Sequence, residues 1–156
     1  MMGKAEKYRL LERQISALVE GETDTIAKMA NIAAVLHETF GFWWTGFYRV
    51  VPHSGLDPES PELILGPFQG PVACMHIPFG QGVCGTAWAR RETVVVPDVE
   101  KFPGHIACSS ASRSEIVVPV RGESGEVVAV LDIDSDRLAT FNEVDRKWLE
   151  RIVTLL

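Results

Sequence analysis

Three cysteines, Cys74, Cys84 and Cys108, are the side chains of this sequence best suited to redox or nucleophilic chemistry. They are the only cysteines, and their spacing is C-x9-C-x23-C. No pair has the C-x-x-C spacing of a zinc knuckle or of a redox-active dithiol motif. An odd count without a short pair argues against a static disulfide framework. Thiol redox chemistry, a metal site and core packing remain as alternatives.

The local sequence around two of these thiols favours reactivity. Cys84 follows the glycine-rich segment FGQGV and is predicted to lie near a helix N-terminus, where the helix dipole lowers a thiol pKa. Cys108 follows His105 by three residues and precedes SSASRS, whose hydroxyl groups and Arg113 can stabilise a thiolate. On the residues alone, either thiol can be the nucleophile.

A metal site is the second interpretation of the same side chains. Cys74 and His76 share one face of a predicted strand, and His105 and Cys108 are three residues apart. Together with Cys84 they can form a Cys/His site for zinc or iron. Because the spacing fits no standard zinc motif, we expect no metal and no cofactor.

Acidic and aromatic residues recur on the predicted strands. Asp132 and Asp134 share a strand face, and Glu115 precedes the apolar run IVVPV. They are either solvated charges at strand ends or a site for a cationic group and a protonated carboxylic acid. Trp44 and Tyr48 also share a face, as core residues or as an aromatic wall for a small ligand.

The elements that must position these residues follow from the apolar periodicity. The order of helices and strands predicts an α+β fold, in which one antiparallel sheet carries the terminal helices on one face and long loops on the other. Trp43 is predicted to face away from Trp44. A capping box from Thr140 to Glu143 is predicted to open the last helix. The predicted elements are helices over 4–20, 24–39 and 140–156, a short helix within 79–92, strands over 42–51, 63–66, 72–78 and 93–99, a hairpin over 115–134, and loops over 52–62 and 100–115.

Composition narrows the class of protein. The chain has 156 residues, 46% hydrophobic and 23% charged, which fits one soluble domain. A net charge of −6 disfavours nucleic acid and anionic membranes as partners. The N-terminus resembles no secretion signal, and no apolar run reaches the roughly 18 residues of a membrane span. We therefore expect a cytoplasmic protein whose thiols are kept reduced.

Four segments resemble a known family, the free methionine-(R)-sulfoxide reductases, which are small enzymes made of a single GAF domain. The segments are GFYRV, LGPFQGPVACMHIPFGQGVCGTA, DVEKFPGHIACSSASRSEIVVPV and GEVVAVLDIDS. The resemblance runs from about residue 20 to the end, and it includes all three cysteines with their flanking residues and spacing.

The resemblance implies a single GAF-like domain over residues 1–156 that reduces free L-methionine-(R)-sulfoxide. It implies that Cys108 is the nucleophile and that Cys74 and Cys84 hold the recycling positions, without settling which of the two resolves the intermediate. The implied substrate pocket consists of Trp44, Tyr48, Glu115, Asp132 and Asp134.

The implied chemistry is a thiolate attack on the sulfoxide sulfur, with a carboxylic acid protonating the departing oxygen. The resulting sulfenic acid condenses with a second thiol to a disulfide, and thioredoxin restores the thiols.

A homodimer is expected from the first amphipathic helix and the apolar C-terminus. The alternative is a GAF module that senses a small ligand without catalysis.

The sequence departs from the family pattern at a few positions. Ser109 stands where an acid is expected, His76 where a basic residue such as Arg is usual, and Trp43 where Asn is common. The loop over 52–62 is longer than typical. We expect Ser109 and His76 to influence the thiol pKa or the order of the loops.

Overall fold

A six-stranded antiparallel sheet organises the protein, in a computed structural model that describes residues 1–52, 60–106, 108 and 111–156. The strand order is β3-β2-β1-β6-β5-β4. The strands are β1 Trp44–Val51, β2 Glu62–Gln69, β3 His76–Pro78, β4 Val94–Val96, β5 Ser114–Arg121 and β6 Val127–Ser135. The helices are α1 Lys4–Val19, α2 Thr25–Phe40, α3 Gly82–Arg90 and α4 Glu143–Val153, with a 3₁₀ turn at Val99–Lys101.

The two faces of the sheet are covered differently. On one face α2 and α4 pack their apolar stripes against alternate strand residues, such as Phe47, Ile116 and Leu131, and α1 packs against α2 and α4. On the other face α3 packs against Trp44, Tyr48 and the remaining alternate residues. The predicted α+β arrangement, with terminal helices on one side and loops on the other, is confirmed.

One buried carboxylate fastens the terminal helices together. The Tyr8 hydroxyl donates to Asp145 Oδ1 at 2.6 Å, and Lys4 Nζ lies 2.8 Å from Asp145 Oδ2. The backbone N–H of Asn142 donates to the same oxygen at 2.8 Å. Since Asp145 is 1% exposed, these donors supply the hydrogen bonds that water cannot give to its buried oxygens.

Several predicted boundaries are corrected. The capping box of α4 consists of Asn142 and Asp145, and the predicted box from Thr140 to Glu143 is wrong because the Thr140 hydroxyl donates to Ser135 Oγ instead. The predicted strand over 72–78 is confined to β3, so Cys74 lies in the loop before it. The expected long loop over 52–62 falls mostly outside the described residues, and Ser109 lies outside them as well.

Among the described residues, no helix combines the length and apolar character needed to cross a membrane. The longest helices, α1 and α2, have 16 residues each and bury one apolar face in the core of the protein.

Candidate active site

The register of three paired strands places the acidic residues side by side. On the β5–β6 ladder Glu115 pairs with Asp134, and Val117 pairs with Asp132. On the β1–β6 ladder Trp44 pairs with Asp134. Because side chains alternate along a strand, Glu115, Asp132 and Asp134 all point to the sheet face that α3 covers, as the sequence predicted for the aspartate pair.

Glu115 and Asp132 are buried next to each other, Asp134 beside them is partly exposed, and the loss of water contact governs the protonation of all three. Burial is the main cause that raises the pKa of Glu115 well above its ordinary value, and the charges of Asp132 and Asp134 add to it. Burial also raises the pKa of Asp134, with the charge of Asp132 second. Burial also raises the pKa of Asp132. Interactions with Glu115 and Cys84 oppose this effect and lower the pKa. The acids are therefore held partly as neutral carboxylic acids.

The hydrogen bonds of the two aspartates differ. Ser112 Oγ donates to Asp134 Oδ1 at 2.9 Å. Asp132 Oδ1, in contrast, is buried and has no hydrogen-bond partner in the part of the chain that the structure describes. A buried carboxylate oxygen without a donor is unfavourable by about 1–3 kcal/mol. Asp132 Oδ1 is thus the acceptor best placed for a ligand that brings its own N–H groups.

Two aromatic side chains form a wall of the pocket. The rings of Trp44 and Tyr48 are 5.9 Å apart between centroids, and Phe68 stacks on Trp44 at 5.2 Å. Trp44 Nε1 donates to the Pro71 carbonyl at 3.0 Å, and the Tyr48 hydroxyl donates to the Cys74 carbonyl at 2.9 Å. The predicted shared face of Trp44 and Tyr48 is confirmed, and both rings hold the loop that carries Cys74.

Gly46 explains how the Trp44 ring can lie flat along β1. A side chain at this position would bring its Cβ to 2.6 Å from Trp44 Cη2, a distance that real carbon atoms do not reach. Only glycine lets the backbone come this close to the ring.

Trp43 is a pocket residue that the sequence placed wrongly. It was predicted to face away from Trp44, yet both indoles line the pocket. Strand alternation does not apply because β1 begins at Trp44 and residue 43 lies in the bend before it. Ser112, which also lines the pocket, gave no sequence signal beyond its place in the serine-rich segment.

The cysteines divide into a pair and a single buried thiol. Cys74 and Cys108 form a disulfide with a Cα–Cα distance of 5.5 Å, and the loops that hold them border the pocket. Cys84 is free, is 4% exposed and lies in the first turn of α3. Its place near the helix N-terminus is confirmed, but the predicted lowering of its pKa is wrong. Burial raises the pKa of the Cys84 thiol, and the charges of Asp132 and Glu115 raise it further.

The segment before Cys108 is anchored on α3. Gly82 has a φ of +62°, and any Cβ there would meet the Ile106 side chain at 3.1 Å. The Cys108 N–H donates to the Ile106 carbonyl at 3.0 Å, and the His105 N–H donates to Phe102 at 3.2 Å. These contacts bring His105 into the pocket wall, with Nε2 at 4.0 Å from Glu115 Oε1.

The cysteines and histidines do not assemble into the Cys/His metal site considered above. Cys74 and Cys108 are bonded to each other, and His76 pairs through Nδ1 with Glu62 Oε1 at 2.8 Å. Among the residues that the structure describes, the potential donor atoms that converge belong to Cys84, Glu115 and Asp132, within 4.8 Å of one another. A cation that enters the pocket would meet these three groups.

Comparison with known proteins identifies the fold and its relatives. The GAF domain family matches residues 22–156. A Dictyostelium discoideum protein named GAF domain-containing protein A is 54% identical over 98% of this chain and 92% of its own length. The free methionine-R-sulfoxide reductase of Escherichia coli is 44% identical over 99% of this chain and 89% of its own length.

A solved structure extends the likeness to three dimensions. The free methionine-R-sulfoxide reductase from Neisseria meningitidis, solved in complex with its substrate, superposes with a TM-score of 0.91. It is 52% identical, and the match covers 99% of this chain and 89% of that one. Sequence, fold and full-length coverage agree, and the chain therefore belongs to the GAF-domain free methionine-R-sulfoxide reductases.

Proposed function

We propose that this protein reduces free methionine-R-sulfoxide to methionine, with Cys108 as the nucleophile. The observation that carries the proposal is the Cys74–Cys108 disulfide beside a pocket of buried acids and aromatic rings. A disulfide is the product that remains after a sulfoxide has oxidised two thiols. The pocket supplies the acid and the apolar wall that an amino-acid sulfoxide requires.

The first step is the attack of the Cys108 thiolate on the sulfoxide sulfur. Glu115 donates its proton to the sulfoxide oxygen, which leaves methionine and a sulfenic acid on Cys108. Glu115 is suited to this role because burial keeps it protonated above the usual pH range of a glutamate. The rings of Trp44 and Tyr48 contact the S-methyl group, whose sulfur becomes electron-poor during the attack.

The ammonium group of a free amino acid needs a buried anion. Asp132 fills this role in the proposal because its Oδ1 lacks a hydrogen-bond donor within the described part of the chain. Asp134, already held by Ser112, shares the acidic end of the pocket. An ammonium ion between these groups would favour their ionised forms and relieve the crowding of carboxyl groups.

The second step resolves the sulfenic acid. The Cys74 thiol attacks the Cys108 sulfur, which forms the disulfide and releases water. We assign this role to Cys74 because it is the partner of Cys108 in the structure. Cys84 is buried and its pKa is raised, so its thiolate fraction is small. Cys84 lies instead beside Asp132, with its Sγ within 4.8 Å of a carboxyl oxygen.

The proposal also includes the reductant and the oligomeric state of the protein. Residues 1–156 act as one GAF-like unit, and thioredoxin reduces the Cys74–Cys108 disulfide by thiol–disulfide exchange in the cytoplasm. The protein functions as a homodimer. The apolar stripe of α1 that suggested a dimer is used within the fold, but Leu10 and Leu18 on the same helix stay exposed.

The substrate prediction uses the separate epimers of free methionine sulfoxide. With dithiothreitol as reductant, we expect turnover of the R epimer and almost none of the S epimer, because only one epimer points its oxygen at Glu115 while its methyl group meets Trp44. Chromatography of the methionine that is formed measures the turnover rate with each epimer. Equal rates with the two epimers, or tight binding without turnover as in a sensing module, would contradict the proposal.

The cysteine prediction uses reduced protein without added reductant. Wild type should form one methionine per chain and one Cys74–Cys108 disulfide, and Cys108→Ser should form neither. Cys74→Ser should form one methionine per chain and leave a sulfenic acid that a dimedone probe labels. Peptide mapping by mass spectrometry reads each product.

The matched control for the cysteine series is Cys84→Ser, which keeps a hydrogen-bonding group of similar size beside Asp132. It should retain both the methionine and the disulfide. A Cys84–Cys108 disulfide in wild type would overturn the assignment of Cys74 as the resolving residue.

The pH prediction follows from the raised pKa of Glu115. The protonated acid is present below the folded-state pKa and is lost as the pH rises through it, so turnover should decline on the alkaline side. Glu115→Gln should lower turnover about 100-fold or more and remove that decline. The control Glu123→Gln, in the exposed β5–β6 turn, should leave the pH profile of kcat unchanged.

The assembly prediction concerns α1. Light scattering should give twice the chain mass of 17.2 kDa, and Leu18→Glu should give the single-chain mass because it places a charge in the apolar contact. Ile26→Glu on α2, exposed to a similar degree, serves as the control and should remain dimeric. A wild-type monomer at high concentration would rule out the homodimer.

A further inference from the structure

The proton that Glu115 donates has to be replaced in every cycle. Attack by a thiolate on a sulfoxide consumes one proton as the oxygen is transferred to sulfur. The Glu115 side chain is only 7% exposed, so it has little direct access to water. A residue that touches both Glu115 and solvent is needed to carry protons to it.

His105 has the required position. Its side chain is 17% exposed, more than twice the exposure of Glu115, and its Nε2 lies 4.0 Å from Glu115 Oε1. A shift of about 1 Å brings the two atoms into hydrogen-bond range. His105 also has the chemistry for the task, because imidazole both accepts and donates protons near neutral pH.

We propose that His105 is a positioning residue that relays protons from solvent to Glu115 between catalytic cycles, an inference that rests on the proposed function. One proton moves inward per sulfoxide reduced, from water to imidazole and then to the Glu115 carboxylate. The imidazole returns to its neutral form, and no electrons are exchanged. The oxidised group remains Cys108, and the reduced group remains the sulfoxide sulfur.

The surroundings of His105 favour a neutral imidazole ring between proton transfers. The titratable groups that share its pocket are Tyr48, Cys84, Glu115, Asp132, Asp134 and, once the disulfide is reduced, Cys108. Burial lowers the pKa of His105, and the charge of Asp132 opposes that effect. The neutral ring therefore dominates at rest. Loss of the Glu115 proton adds a negative charge beside the ring and draws a proton onto it.

A second route to Glu115 runs through Asp134, which is partly exposed and close to Glu115 in the β5–β6 pairing. Asp134 is a weaker candidate because the proposed position of the substrate ammonium group is at its end of the pocket and favours its ionised form. Its Oδ1 also accepts a hydrogen bond from the Ser112 hydroxyl, which occupies one of the oxygens that a relay would use. The His105 variants separate the two routes.

The test compares the first turnover with later turnovers in His105→Gln and His105→Ala. The first turnover uses the proton already present on Glu115, so rapid-mixing measurements should give methionine at the wild-type rate. Later turnovers, with saturating dithiothreitol, should be slower by about 10-fold or more because Glu115 waits for a proton. Added imidazole should restore the steady-state rate of His105→Ala, since the small base enters the space that the side chain has left.

The matched control is His37→Asn, which removes a histidine from α2 on the sheet face opposite the pocket and keeps a hydrogen-bonding group for the Thr45 hydroxyl. Its first and later turnovers should match wild type, with no effect of imidazole. The relay is overturned if His105→Gln keeps later turnovers within about 2-fold of wild type across pH, as the Asp134 route requires. It is also overturned if first and later turnovers slow equally and imidazole restores neither, which is the signature of a structural role.

The experiments distinguish a failure of the His105 relay from a failure of the proposed function. If wild type does not reduce the R epimer, or if Cys108→Ser still turns over, the proposed function fails before His105 is considered. If both of those results stand and the His105 variants behave as wild type, only the relay fails.

Discussion

Three carboxyl groups crowded on one face of the central sheet are the constraint on which the site depends. Cross-strand pairing brings Glu115 beside Asp134, and the two-residue period of β6 brings Asp132 to the same face. Among the described residues, no lysine or arginine forms an ion pair with any of the three. Burial of several like charges without a counter-ion is strongly unfavourable, so the cluster retains protons.

The crowding of the three carboxyl groups affects both the free energy of the folded protein and the acid–base chemistry of the pocket. A pocket that holds protonated carboxylic acids is a source of protons for a departing oxygen, and the same pocket attracts a cationic group that lets one acid ionise. The Cys84 thiol, buried against Asp132, is subject to the same field, and its raised pKa follows from it. The helix dipole at the start of α3 is too weak to overcome burial and two neighbouring acids, because it contributes only about 0.3–1 kcal/mol at most sites.

The rest of the fold holds the loops around this cluster. The face opposite the pocket is covered by α1, α2 and α4, and Asp145 on α4 joins that helix to α1 through Tyr8 and Lys4. On the pocket face, Tyr48 and Trp44 bind the backbone of the loop before β3. Contact between Ile106 and Gly82 holds the segment before Cys108. The two loops thereby bring Cys74 and Cys108 within disulfide distance.

The sequence by itself determined the local elements and the residue types of the site. Apolar periodicity located the four helices and the main strands, and period-two alternation placed Asp132 with Asp134 and Trp44 with Tyr48. The resemblance in the cysteine segments indicated the family. These features are local in sequence, since each depends on residues within a few positions of one another.

Only the tertiary structure decided which distant groups meet. The pairing of Cys74 with Cys108 depends on two loops 34 residues apart. The contact of His105 with Glu115 and the inward position of Trp43 depend on a 3₁₀ turn and a bend that periodicity does not encode. The protonation of Cys84 was predicted in the wrong direction because a pKa depends on burial and on charges brought in by other strands. Those quantities exist only once the sheet, α3 and the loops have packed together.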